Sequence, residues 1–106
     1  MFSLDKRSSE SNLLNSLQEK FFTTARRNKI LAKWAGGRLG YKDRQLNSYI
    51  RKIILSYILI PNERRLIDRV EADFKRAGID VSKDDIVQKL KSIEERVKNK
   101  RAKQHD

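Results

Sequence analysis

The sequence predicts an all-α protein: a four-helix bundle with a flexible or weakly helical N-terminal arm. Three observations point there. Apolar residues recur at steps of three and four in four successive segments, the spacing of helices that each bury one face. The chain has one proline, Pro61, and its glycines (Gly36, Gly37, Gly40 and Gly78) fall near the ends of those segments, so little interrupts helical hydrogen bonding. Hydrophobic residues make up 38% and charged residues 37% of the 106, the balance of narrow apolar stripes against wide solvated faces. That length supports one domain with a single modest core.

Residues 1–20 read as the arm, 21–102 as the bundle and 103–106 as a frayed tail. The first dozen residues are polar and Ser-rich without a clear period, as chain ends often are. From Leu13 a stripe runs through Leu14, Leu17, Phe21, Ala25, Asn28, Leu31, Ala35 and Leu39, and Gly40 offers a left-handed C-terminal cap. Thr23 and Thr24 are weak helix formers, a place where the helix can loosen between arm and bundle. Gly36 and Gly37 leave room for a neighbouring backbone. A second helix starts at Asp43, read as its own cap, with Leu46, Tyr49, Ile50, Ile53, Ile54 and Tyr57 inward. The run from Ile53 to Ile60 also suits a buried strand; the preceding period favours helix, stopped by Pro61.

The third helix spans about Asn62 to Ala77 with Leu66, Ile67, Val70 and Phe74 inward, and Gly78 and Ile79 form its terminating motif. Ser82 caps the fourth, and Asp85 completes a variant of the capping box. Asp84 and Asp85 meet the positive end of its dipole, and Lys98, Lys100 and Arg101 the negative end. Ile86, Leu90, Ile93 and Val97 make one stripe, worth roughly 6–12 kcal/mol gross on burial before ordering entropy is subtracted.

The formal charge is +11, divided as +5 over residues 1–40, +4 over 41–77 and +2 over 78–106, a spread that favours a generally basic surface over a dedicated polyanion site. There is no Cys, which excludes disulfides and thiolate chemistry and suits a reducing, cytoplasmic location. The N-terminus lacks an apolar h-region, and the Ile53–Ile60 run is too short to cross or insert into a bilayer. His105, the one histidine, stands next to last. No phosphate loop, metal-ligand spacing or nucleophile–base pattern occurs, and Asp84-Asp85 and Glu94-Glu95 are helix neighbours that point in different directions. The expectation is a non-enzyme without cofactor or metal. Phe74 to Ser82 followed by a helix imitates a helix-turn-helix, but Asp84 and Asp85 would face phosphate with like charge, so nucleic acid is disfavoured as a partner. Asn28 reads as a buried polar residue that fixes register, and Arg26, Arg27 and Lys29 as solvated surface beside Trp34.

The stretch Ala25-Arg26-Arg27-Asn28-Lys29, Leu31, Trp34-Ala35 and Leu39-Gly40 strongly resembles the zeta-subunit family of alphaproteobacterial F-type ATP synthases. The likeness continues through Val70 to Phe74 and Asp80-Val81-Ser82 with Ile86, roughly residues 20–100. The resemblance implies a four-helix bundle and a non-catalytic regulator, monomeric when free and held at the inner membrane only through the synthase. Its implied partner is the catalytic head of alpha, beta and gamma subunits. In the family the N-terminal segment inserts at a catalytic interface and blocks ATP hydrolysis while permitting synthesis. Carried onto this chain, the partner-binding residues are Phe2, Leu4, Asp5, Arg7, Glu10, Leu13, Leu14 and Leu17. The core motif is Arg26, Arg27, Asn28, Lys29, Leu31 and Trp34. The arm departs from the family's acidic, Phe-containing pattern, with Leu13 where an aromatic is expected. Two other readings therefore stand beside inhibition: a family member that binds without inhibiting, and a basic helical nucleic-acid-binding protein.

Overall fold

The computed structural model describes the backbone of residues 4–105 and the side chains of residues 11–103. Its four helices are α1 (Leu4–Arg38), α2 (Asp43–Leu59), α3 (Glu63–Arg76) and α4 (Lys83–His105). They form a ring: α1 packs on α2 and α4, and α3 closes the opposite side against α4 and α2. This is the four-helix bundle read from the sequence.

The ends follow from local chemistry. Gly40 takes a left-handed φ of 88°, and the amides of Gly40 and Tyr41 return to the carbonyls of Gly37 and Gly36 at 3.1 and 3.0 Å. That pattern, a Schellman motif, satisfies the last carbonyls of α1. Gly78 repeats it with φ 70°, Ile79 donating to the Phe74 carbonyl at 2.9 Å. Asn62 caps α3 by accepting from the Arg65 amide at 3.1 Å. The capping box of α4 is reciprocal: Asp85 N donates to Ser82 Oγ at 3.0 Å, and Ser82 N to Asp85 Oδ2 at 3.2 Å. Asp43 is not the cap of α2. It is the first helical residue, held at φ 52°, and Lys42 occupies the cap position without a side-chain hydrogen bond.

The core is built from one stripe per helix. Leu31, Ala32 and Ala35 of α1 meet Tyr49 and Ile53 of α2, Leu66, Val70 and Phe74 of α3, and Ile86, Leu90, Ile93 and Val97 of α4. Phe74, Leu31, Ile53, Ile86 and Val70 are the largest side chains wholly inside. Gly36 is where α1 and α2 come closest: a Cβ there would lie 2.6 Å from Leu46 Cδ1 and 3.1 Å from the Tyr49 ring. The room is filled by side chains rather than backbone, and Gly37 faces open space. The Ile53–Ile60 run is helical to Leu59, and only Ile53 is fully inside. A helix turns 100° per residue, so a continuous aliphatic run must also face outward. Leu55, Ile58, Leu59 and Ile60 do.

Helix α1 is much longer than the bundle. Its 35 residues make a rod of about 52 Å, against about 21 Å for the 14 residues of α3. The molecule accordingly measures 61 × 29 × 28 Å. The rod passes through Thr23 and Thr24 without a break, and Arg27 is the first buried residue along its described side chains. No helix among the described residues is long and apolar enough to cross a membrane.

Candidate functional site

The N-terminal part of α1 carries the first candidate surface. Leu13, Leu14, Leu17 and Phe21 recur at helical spacing, yet they are 60, 60, 54 and 68% exposed. Four large apolar side chains so exposed on one helix face are a partner-binding pattern more than a core pattern. At its lower end the stripe meets α2. Leu17, Phe21 and Ala25 together with Ile54, Ile58 and Pro61 line an apolar groove of about 420 Å³. Of the other expected arm residues, Phe2 lies outside the described residues. Leu4, Asp5, Arg7 and Glu10 lie on the helical backbone of α1, with their side chains outside the described set.

Glu19 and Arg101 join the base of this arm to α4. Arg101 donates from Nε and Nη2 to the two Glu19 carboxylate oxygens at 2.6 and 2.8 Å, and its guanidinium stands 5.0 Å from the centre of the Phe22 ring. The carboxylate holds the Arg101 guanidinium above its already high pKa. Nothing local in the sequence reveals a pair 82 positions apart.

The motif Arg26 to Trp34 divides by helix face. Arg26 and Lys29 are exposed, as read from the sequence, but Arg27 is not: only 6% of its surface is accessible. Its Nε donates to Asn28 Oδ1 at 3.1 Å and its Nη1 to Glu63 Oε1 at 3.2 Å, linking α1 to the first turn of α3. Arg27 Nη2 is buried without a hydrogen-bond partner. Asn28, 2% exposed, is buried as expected, and its Oδ1 accepts from the adjacent Arg27. Leu31 is fully buried, and Trp34 meets Phe74 edge-on at 5.6 Å with the Lys89 ammonium 5.7 Å from its ring. The buried half of the motif therefore holds α1 against α3, and the exposed half faces outward. The triplet had looked uniform because Arg26, Arg27 and Lys29 share a charge. Position 27 is nonetheless four residues before Leu31, and that spacing was the available signal.

A second buried polar centre joins α2 to α3. Tyr49 Oη donates to Asp73 Oδ2 at 2.8 Å, Arg69 Nε donates to the same oxygen at 3.4 Å, and Arg76 reaches Oδ1. Burial first, then the Asp73 carboxylate, pushes the Tyr49 hydroxyl well above its ordinary value of 10.0. At the start of α4, Lys83 lies 2.7 Å from Asp68; the hydrogen bond lowers the carboxyl and raises the ammonium. Asp85 is committed to the capping box. Among the described residues no group of His, Cys, Asp and Glu could hold a metal ion.

No curated protein and no solved structure matches the chain. A family model described as ATPase inhibitor subunit zeta matches residues 1–100. The match includes the arm, the Arg26–Trp34 motif and all four helices, and the chain belongs to the ATPase inhibitor subunit zeta family.

Proposed function

We propose that this chain binds the catalytic head of the F-type ATP synthase, an assembly of alpha, beta and gamma subunits, and blocks its ATP hydrolysis with the N-terminal part of α1. The observation that carries the proposal is the exposed stripe Leu13, Leu14, Leu17 and Phe21 on a helix that outruns its own bundle. The family's description as an inhibitor subunit supplies the activity. An extended rod tied at its base by Glu19 and Arg101 can enter a cleft between subunits while the bundle stays outside. The reading uses no metal and no cofactor, and it makes the protein a regulator rather than an enzyme.

Magnitudes define what the stripe can do. Leu13, Leu14, Leu17 and Phe21 are already part-covered, so burying the rest of them is worth roughly 4–7 kcal/mol gross. Association costs roughly 4–15 kcal/mol in lost freedom. The stripe thus contributes substantially and is not sufficient alone for tight binding.

The experiment is ATP hydrolysis by the cognate head, titrated with the wild-type chain and with Leu13→Ser/Leu17→Ser. Both residues are exposed, so the variant keeps its fold while its half-inhibiting concentration rises at least about tenfold. Equal inhibition by the two proteins would refute the arm mechanism. Binding of wild type without inhibition would leave a family member that docks and does not inhibit.

A further inference from the structure

The fold brings five of the 25 Lys and Arg residues, far apart in the sequence, to one cleft. A cleft of about 630 Å³ opens between α1 and the C-terminal part of α4, on a different side of α1 from Phe21 and Leu17. One wall carries Arg26 and Lys29, the other Arg96, Lys100 and Arg101, and no carboxylate lines it. Its floor is apolar: Phe22, 54% exposed, and Ile30, 36% exposed, flank Ile54 and Val97. Among the described residues Arg26, Lys29, Arg96 and Lys100 make no ion pair; Arg101, bound to Glu19, closes one end.

We infer that this cleft docks an amphipathic helix of a partner protein whose apolar stripe is bordered on both sides by Asp and Glu. The combination of features selects that occupant. An apolar floor between two walls is the shape that receives the apolar face of a helix. Cations on both walls demand acids on both edges of that helix, and in a half-desolvated cleft they reject a basic one. The cleft follows α1 over the nine residues from Phe22 to Ile30, so about 12 Å or two turns of the guest lie within it. A nucleic-acid backbone would use the cations and gain nothing from Phe22 and Ile30. A bilayer surface cannot follow a concave wall. A second copy of this chain brings a formal +11 of its own, and like charges oppose the approach. This docking surface uses neither residues 1–21 nor the identity of the inhibited enzyme, so it stands or falls independently of the arm.

The test is amide-resolved NMR of the full chain, titrated with two helical peptides of about 18 residues. They share one leucine stripe, flanked by Glu in the first and by Lys in the second. The Glu-flanked peptide shifts Phe22, Arg26, Lys29, Ile30 and residues 96–101, and the Lys-flanked peptide does not. In Lys29→Glu/Lys100→Glu, whose changes are both on exposed side chains, the dissociation constant for the Glu-flanked peptide rises at least about tenfold. Three results with the peptides would each overturn the inference. One is equal binding of both peptides, another is shifts confined to the groove at Leu17, Phe21 and Ile58, and the last is no binding. Duplex DNA or anionic phospholipid vesicles that perturb the same amides at lower concentration than the Glu-flanked peptide would overturn it in favour of a general polyanion site.

Discussion

Arg27 shows how one residue joins sequence motif to fold. Its guanidinium leaves water, and Asn28 and Glu63 replace part of the lost solvation. Arg27→Ala is expected to cost about 2 kcal/mol, because Asn28 Oδ1 loses its donor and the α1–α3 link is cut. Glu63→Gln should cost less, about 1 kcal/mol, since Glu63 is 53% exposed and solvent screens the pair. Urea unfolding followed by Trp34 fluorescence measures both, and equal losses would contradict the assignment. Tyr49 gives a pH signature. In the unfolded chain its phenol ionises near pH 10.0, in the folded one well above that. The stability it contributes is therefore intact below pH 10 and drains away as pH rises beyond it. Tyr49→Phe should lose about 1–2 kcal/mol at neutral pH and show a shallower fall of stability above pH 10 than wild type, read by urea midpoints across that range. Asn28 was legible in the sequence because a polar residue interrupting an apolar stripe is conspicuous. Asp73 was missed. Its place three residues after Val70 was a signal that went unread, and its pairing with Tyr49, 24 positions away, exists only once α2 and α3 have packed.

Among the elements, the helix ends were the most readable part, because capping is settled within a few residues. The Ser82–Asp85 box, the Asn62 cap and the glycine terminators at Gly40 and Gly78 all form as the residue types require. Ser82→Ala removes one acceptor from the start of α4 and should cost about 1 kcal/mol. Gly37→Ala should instead stabilise by roughly 0.5–1 kcal/mol, since the position is helical and its Cβ meets nothing within 4 Å. Opposite signs in thermal unfolding would count against the helix-end account. The start of α2 was misread at Asp43, a good capping residue that stands one position inside the helix. Periodicity likewise located the stripe of α1 but not what covers it. A helix face destined for a core and one destined for another protein have the same spacing. Only the length of α1 relative to its neighbours distinguishes Leu13 and Leu17 from Leu31.

The whole molecule is a bundle of ordinary width with a rod attached. No buried side chain occurs among residues 11–26. A chain beginning at residue 21 therefore keeps every core residue and loses, among the described interactions, the Glu19–Arg101 pair. It should retain a cooperative thermal transition within a few degrees of the full chain, as expected for the loss of about 1 kcal/mol or less. The most direct measurement is ATP hydrolysis by the cognate catalytic head, titrated in parallel with the full chain and with this shortened one. The arm account predicts saturable inhibition by the full chain and none by the folded, shortened chain at the same concentrations. Inhibition of equal strength by both would contradict it and move the inhibitory contact into the bundle.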